Sequence, residues 1–368
     1  MFKNIIFLFV FSLVFNGCFN SSKPIKIAIV TGLSGKYSNL GSEVRDGVVL
    51  AFNEINYNIN GKKIELIQKD DKQDVDTDKQ VIKTLIKDNI EVIIGNTTSS
   101  MTKVSLDILK KHQNILLFSP TASSSEFSNK DDNFLRTNGG DARVMLDELI
   151  RFIREQKFQN ITVIGDEKNK TFLKTYTKIL PQYLKAEKLI KNNISTISSN
   201  LSLENILSKL KSLNSDMILV VANSTDSAKI IQYLRFNHIL KPIVCSGWAK
   251  DQEFFEDVGK YAKGIYFVSS IEKQESSHCF EKFKTNFIKM YHKQPGKFNI
   301  KGYKAAQIII EALKINNNPE QLKQTILMKK SFDTINGKVI FNKYGDIQYK
   351  EYLLKIDDNN HFKRVYHE

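Results

Sequence analysis

Hydroxyl and amide side chains gather at a few places in this sequence, and they suit capture of a small polar molecule better than catalysis. Gly95-Asn96-Thr97-Thr98-Ser99-Ser100 and Ser119-Pro120-Thr121-Ala122-Ser123-Ser124-Ser125 each follow a short apolar run. So do Ala222-Asn223-Ser224-Thr225-Asp226 and Ser246-Gly247-Trp248. An apolar strand that opens into a polar loop and continues as a helix leaves unpaired amides converging on one spot, where open α/β sheets bind small ligands. A zwitterion taken out of water needs donors for its carboxylate and an acceptor for its ammonium. Charge-assisted bonds contribute roughly 1.5–3 kcal/mol each, and micromolar affinity needs only about 8 kcal/mol. A handful of hydroxyls and amides therefore suffices. Ser99, at a strand-to-helix turn, suits a carboxylate. Asp226 has two readings, as partner of a ligand amine or as part of a helix start. Trp248, the single tryptophan, also has two, as a wall of a cleft or as core. Ser124 and Ser125 read as helix caps.

Catalysis is poorly served. No Gly-x-Ser-x-Gly elbow, phosphate loop, metal-spaced histidine set or Cys–His partnership is present. Asp70-Asp71 resembles an acid–base pair, but it reads better as a cap of the next helix that braces its lobe. The sequence predicts neither an enzyme nor a bound cofactor or metal.

Strand and helix patterns alternate around these loops. Ile27 to Val30 form a buried strand, and Val44, Val48, Phe52 and Ile55 recur at helical spacing after it. Strands follow at Lys63–Gln68, Glu91–Ile94 and Ile115–Phe118, with helices over Thr77–Asp88 and around Val104–Leu109. After Gly139-Gly140 the pattern restarts. It places helices at Ala142–Gln156, Thr171–Leu184 and Ser227–Phe236, and strands at Ile161–Ile164, Asp216–Val221, Pro242–Cys245 and Ile265–Val268. Helices at Phe280–Tyr291 and Gly302–Ile315 and a hairpin around Asn342–Asp346 complete it. Alternating βα units imply parallel sheets with helices on both faces. The fold class expected is α/β, with two doubly wound lobes and a hinge at Gly139-Gly140. Lobe 1 is expected to take residues 25–140 and about 272–341, lobe 2 residues 141–271 and about 342–368.

Residues 1–18, MFKNIIFLFVFSLVFNGC, carry an early Lys, an apolar run from Ile5 to Phe15, and Gly17 before Cys18. That layout is a secretory signal, its apolar run too short for the roughly 20 residues of a spanning helix. Cys18 directly after a small residue looks like a bacterial lipobox, which would make it the acylated mature N-terminus and residues 19–24 a tether. An uncleaved N-terminal anchor is the other reading. Cys245 and Cys279 are placed either to pair in an oxidising compartment or to remain free thiols. The net charge of +14 invites nucleic acid. Lysines are spread along the chain, however, and no basic run is interleaved with aromatics, which argues against it.

Taken in order, the motifs resemble the type I periplasmic binding proteins, in their leucine/isoleucine/valine-binding branch serving ABC transporters. The markers are Thr31-Gly32-Leu33-Ser34-Gly35, Arg45-Asp46-Gly47, Asp70-Asp71, Ile94-Gly95, Ser119-Pro120-Thr121-Ala122, Phe134-Leu135-Arg136-Thr137, Asp166 with Asn169, Ser246-Gly247-Trp248-Ala249 and Tyr303-Lys304-Ala305-Ala306. The resemblance implies two lobes closing over an amino acid or similar ligand, a membrane permease as partner, and a periplasmic or cell-surface location. A lipid anchor through Cys18, from the lipobox-like layout, and a monomeric state are expected beside it. Ser99, Thr121 and Ser123 match the family's contact positions, as does Tyr303. Phe172 falls where relatives often have a binding Tyr, and the Asn169–Phe172 segment is expected to close from lobe 2. Three departures bear on the ligand. Gly247-Trp248 replaces an acidic ammonium partner, Leu40 an early cleft tryptophan, and Gln73 and Thr98 a cysteine pair. A sensory protein that signals to a chemoreceptor or kinase would share the same fold.

Overall fold

The computed structural model describes residues 23–189, 194–270, 278–347 and 349–366. The amino-terminal segment holding Cys18 lies outside them. Strand β1 (Ile25–Thr31) is followed by α1 (Ser38–Asn53), β2 (Asn58–Ile59), β3 (Lys62–Asp70), α2 (Val75–Lys87), β4 (Val92–Gly95), α3 (Ser99–Leu109), β5 (Leu116–Ser119) and β6 (Phe134–Arg136). These strands make one sheet, ordered β2-β3-β1-β4-β5-β6, parallel throughout except for the β2–β3 pair. Both faces are covered. Ile27 and Ile29 join a core with α1, whereas Ala28 and Val30 face the side of α2. This is why the strand reads as an unbroken apolar run rather than an alternation.

The chain then enters the second lobe through α4 (Ala142–Glu155), β7 (Ile161–Gly165), α5 (Lys170–Lys174), α6 (Leu180–Ala186), β8 (Ser195–Ser198), α7 (Leu203–Ser212), β9 (Met217–Val221), α8 (Ser224–Phe236), β10 (Ile243–Ser246), α9 (Gln252–Val258) and β11 (Tyr266–Ser269). Helices α10 (His278–Tyr291), α11 (Lys297–Ile315) and α12 (Leu322–Lys329) pack on the first lobe, as does the hairpin of β12 (Ser331–Thr334) and β13 (Gly337–Ile340). Strands β14 (Tyr352–Ile356) and β15 (Phe362–Arg364) return to the second sheet, ordered β15-β14-β11-β10-β9-β7-β8. The molecule is thus α/β with two doubly wound lobes. The second sheet departs from the all-parallel expectation, since β14 and β15 add antiparallel at its edge.

Two helices differ from the spacing read in the sequence. The stretch read as one helix over Thr171–Leu184 contains a widened π turn at Thr175–Ile179, just before Pro181, whose missing N–H interrupts the regular ladder. Helix α11 starts at Lys297 rather than Gly302 because Gly296 stops the chain there, its N–H donating to Asn299 Oδ1 at 2.7 Å. The early start brings α11 against α1 at close range. A Cβ on Gly47 would sit 2.0 Å from the Asn299 carbonyl oxygen, and one on Gly302 2.2 Å from that of Val44. Glycine at these two positions lets the helix backbones touch.

Candidate ligand-binding site

Between the lobes, beyond the carboxyl ends of β4 and β5, lies a cavity with about 550 Å³ of unfilled space, its mouth included. Its first wall is the pair of hydroxyl-rich loops. Thr98 caps α3, accepting the Met101 N–H, and its own hydroxyl donates to Gln73 Oε1 at 2.6 Å. With the cap supplied by its neighbour, Ser99 Oγ is free to accept the Ser123 and Ser124 amides at 3.2 and 3.1 Å. Thr121 Oγ1 donates to the Thr97 carbonyl at 2.7 Å, and Asn138 Nδ2 to the Thr121 carbonyl at 2.8 Å. Both loops are thereby stitched into one polar surface. Ser99 itself is 2% exposed, and a hydroxyl that accepts two amides still has its proton to give.

The opposite wall is aromatic. Phe172, on α5, and Trp248 meet edge to face at 6.1 Å, and Trp248 also leans on Tyr37 of the first lobe at 5.5 Å. Leu40 and Phe298 complete the apolar lining. Asn169 spans the gap, its Oδ1 accepting the Ser100 amide at 3.1 Å. Lys297 Nζ, at the start of α11, donates to the Gly247 and Lys250 carbonyls of the second lobe at 2.7 and 2.8 Å.

Six of the eight positions singled out for ligand contact in the sequence therefore line one cavity: Ser99, Thr121, Ser123, Asn169, Phe172 and Trp248. Two do not. Asp226 stands in the first turn of α8, because Asn223 is the cap and accepts the Asp226 amide at 2.9 Å. Its carboxylate turns to Lys36 of the first lobe at 2.5 Å. Lys36 also reaches Asp166 at 3.1 Å, and Tyr37 donates its hydroxyl to the same carboxylate. Asp226 thus belongs to an ion-pair bridge between lobes. Tyr303 fails for a different reason. Once α11 begins at Lys297, the helical turn that faces the cavity carries Lys297, Phe298 and Lys301, and Tyr303 points elsewhere. Its hydroxyl donates to Glu54 at 2.6 Å and its ring packs on Phe283.

Among the polar lining residues that sequence reasoning missed are Asn138, Lys297, Lys301 and Glu351. Lys301 Nζ donates to Asn138 Oδ1 at 2.7 Å. Burial pushes the Glu351 carboxyl up to about 8, with Lys301 and Tyr349 opposing the shift. The i, i+4 spacing of Lys297 and Lys301 after Gly296 is the one local signal that was available. Glu351 has none, since only the return of the chain to β14 sets it beside α11.

Other expectations are revised. Asp70 and Asp71 do not cap α2, whose cap is Asp74. Asp70 instead gathers the Leu33 and Lys72 amides and the Ser34 hydroxyl, and buried Asp71 takes Gln73 and Asn96. Cys245 is buried in β10 and Cys279 exposed on α10, both as free thiols. Among the described residues, no group of His, Cys, Asp and Glu is placed to hold a metal ion.

Two doubly wound lobes with a polar cleft between their strand ends define the architecture of a two-domain solute-binding protein. In agreement with its motifs, the chain belongs to the periplasmic binding protein family, whose model matches residues 24–360. It is 22% identical over 337 residues to the Leu/Ile/Val-binding protein of Escherichia coli (strain K12), covering 89% of each chain. The fold is shared with a branched-chain amino acid transporter substrate-binding protein from Streptococcus pneumoniae in complex with isoleucine. There the TM-score is 0.75 and the identity 22%, over 93% of this chain and 98% of that one. A solute-binding protein from R. palustris in complex with benzoate is also similar, with a TM-score of 0.78 and 16% identity over 93% and 95% of the two chains.

Proposed function

We propose that this protein is the extracytoplasmic solute receptor of an ABC importer, capturing an amino acid or amino-acid-like carboxylate by closure of its lobes. The observation that carries the reading is the interlobe cavity, with donors at the strand ends of one lobe and an aromatic wall on the other. In this reading Ser99, Thr121 and Ser123 hold the ligand carboxylate, and Phe172 and Trp248 cover its carbon skeleton. Asn169 ties the lobes together once they close. Closure is driven by the ligand's greater affinity for the closed form. Lipidated Cys18 tethers the protein to a bacterial membrane, and the closed monomer docks on a permease. Among the described residues no helix is long and apolar enough to cross a membrane.

The test is a thermal-shift screen of the purified protein against amino acids, small amides and aliphatic and aromatic carboxylates. A saturable rise in Tm with one class of carboxylate is expected, because a ligand selective for the native state stabilises it. Silence across every carboxylate would remove the solute-receptor reading.

A further inference from the structure

Glu351 is 5% exposed, directly precedes β14, and lines the interlobe cavity. It is the only acidic residue on that lining among the described residues. Tyr349 hydrogen-bonds its carboxyl group, yet Oε2 is buried without a hydrogen-bond partner among the described residues. A carboxyl oxygen withdrawn from water and left unpaired is costly, so this one marks a place where a donor is missing. Lys301, which donates to Asn138, and Lys297 and Lys250 all sit close enough to favour the charged carboxylate, yet none of them bonds Oε2. The remaining donor is the guest.

We propose that Glu351 receives the ammonium group of the ligand, so that the solute is an α-amino acid held at its carboxylate by the hydroxyl loops and at its amine by β14. The proposal deepens the preceding reading and rests on it. It also accounts for Gly247-Trp248, where the motif comparison expected an acid. The acceptor has moved to another element of the same cleft, and the vacated position carries an aromatic wall. A ligand ammonium against Oε2 completes the group's hydrogen bonds and favours its ionised form, against the burial that raises the carboxyl to about 8. A carboxylic acid without the amine would leave Oε2 as it stands.

The experiment is calorimetric titration of the purified full-length protein with the standard L-α-amino acids. Each is paired with the same acid lacking the amine, and benzoate and 4-hydroxybenzoate are added. The wild type should bind its best amino acid about tenfold or more tightly than the des-amino counterpart. Glu351→Gln, which keeps size but removes the charge, should lose most of that ratio while its affinity for the des-amino acid stays within about threefold. Equal binding of both members of the pair by the wild type would overturn the ammonium assignment and leave the carboxylate receptor standing. So would a Glu351→Gln protein with the preference intact, or one that loses both ligands alike. If Glu351→Gln does not fold, Glu351→Asp, which withdraws the carboxyl by one methylene, takes its place, and a preference unchanged from the wild type would overturn the assignment. No binding of any acid by the wild type would remove the parent reading and the proposal with it.

Discussion

Ser99 Oγ is where the two loops of the first lobe meet, and its double acceptance of the Ser123 and Ser124 amides gives it two separable jobs. One is structural, since the Ser124 amide is buried and the Ser123 amide partly so, and both need an acceptor. The other is to present its proton to a ligand carboxylate. Ser99→Ala should lower stability by about 1–3 kcal/mol, the cost of stranding buried amides. It should also weaken binding of the leading carboxylate by about tenfold or more, read by denaturant unfolding and by calorimetry. Unchanged affinity with lowered stability would confine Ser99 to the structural job. A second residue-scale case is Asp78, buried beside Asp71 with Asn96 and Ser105 on its oxygens. Ser105 has one hydroxyl proton and two acceptors in reach, Asp78 Oδ2 at 2.9 Å and Asn96 Oδ1 at 2.7 Å. A proton on Asp78 satisfies all of them. In keeping with that, burial and the neighbouring Asp71 carboxyl raise Asp78 to about 7 from 3.8. Between those values the folded state holds a proton that the unfolded chain has released. Stability is therefore lost as pH rises from about 4 to about 7, then levels off. Asp78→Asn lacks that slope. It should gain on the wild type by on the order of 2–4 kcal/mol between pH 4 and pH 8 in urea titrations.

At the level of elements, the segment after β13 is what ties the lobes' connections to the first sheet. Phe341 and Ile347 bridge antiparallel around Asn342–Asp346, and Asp346 is locked beneath β6. Arg136, fully buried, gives Nε to Asp346 Oδ1 at 2.6 Å, Nη1 to the Ser124 carbonyl at 2.7 Å and Nη2 to Ser128 Oγ at 2.9 Å. One guanidinium thus joins the crossing segment, the ligand-loop backbone and the sheet. Removing it strands a buried carboxylate, so Arg136→Met should cost about 3–5 kcal/mol. The double variant Arg136→Met with Asp346→Leu should recover much of that loss, because neither charge is then left alone. A double variant no more stable than the single one would show that the pair's worth lies in the backbone contacts rather than in charge compensation.

For the molecule as a whole, the lobes meet through an ion-pair bridge. Lys36 of the first lobe reaches Asp166, Asp226 and Asn200 of the second. Although burial opposes it, the two carboxylates hold its ammonium above the ordinary lysine pKa. Such a bridge biases the pair of lobes toward the closed arrangement, and a ligand has that much less to do. Lys36→Met should open the unliganded protein, read as a larger radius of gyration in solution scattering. It should also weaken ligand binding by about three- to tenfold, mainly through faster release. The bridge is partly exposed, so the wild type's affinity should fall with added salt while the variant's stays flat. A wild type and a variant with the same scattering profile would show that the bridge does not set the lobe equilibrium.

The sequence by itself determined what is local and periodic. The buried runs of β1, β4, β5, β7 and β9 and the polar loops after them were legible because strand burial on two faces and loop chemistry leave contiguous signatures. Ser99, Thr121, Ser123, Asn169, Phe172 and Trp248 follow from that pattern together with the family motifs. Short polar β8 and the edge strands β14 and β15 were not, since a strand's membership in a sheet depends on partners far away in the chain. The same reason hid Asn138, Lys301 and Glu351. It also misplaced Tyr303 and left Asp226 between two readings, since their neighbourhoods hang on where a helix begins and on which residue caps it. Only the tertiary structure decided that an aspartate with two readings in the sequence bridges the lobes, and that a glutamate with no local signal carries an unpaired oxygen on the cleft lining. Hydrogen bonding and charge are settled by atoms a few ångströms apart, and those atoms come from segments more than a hundred residues apart in the chain.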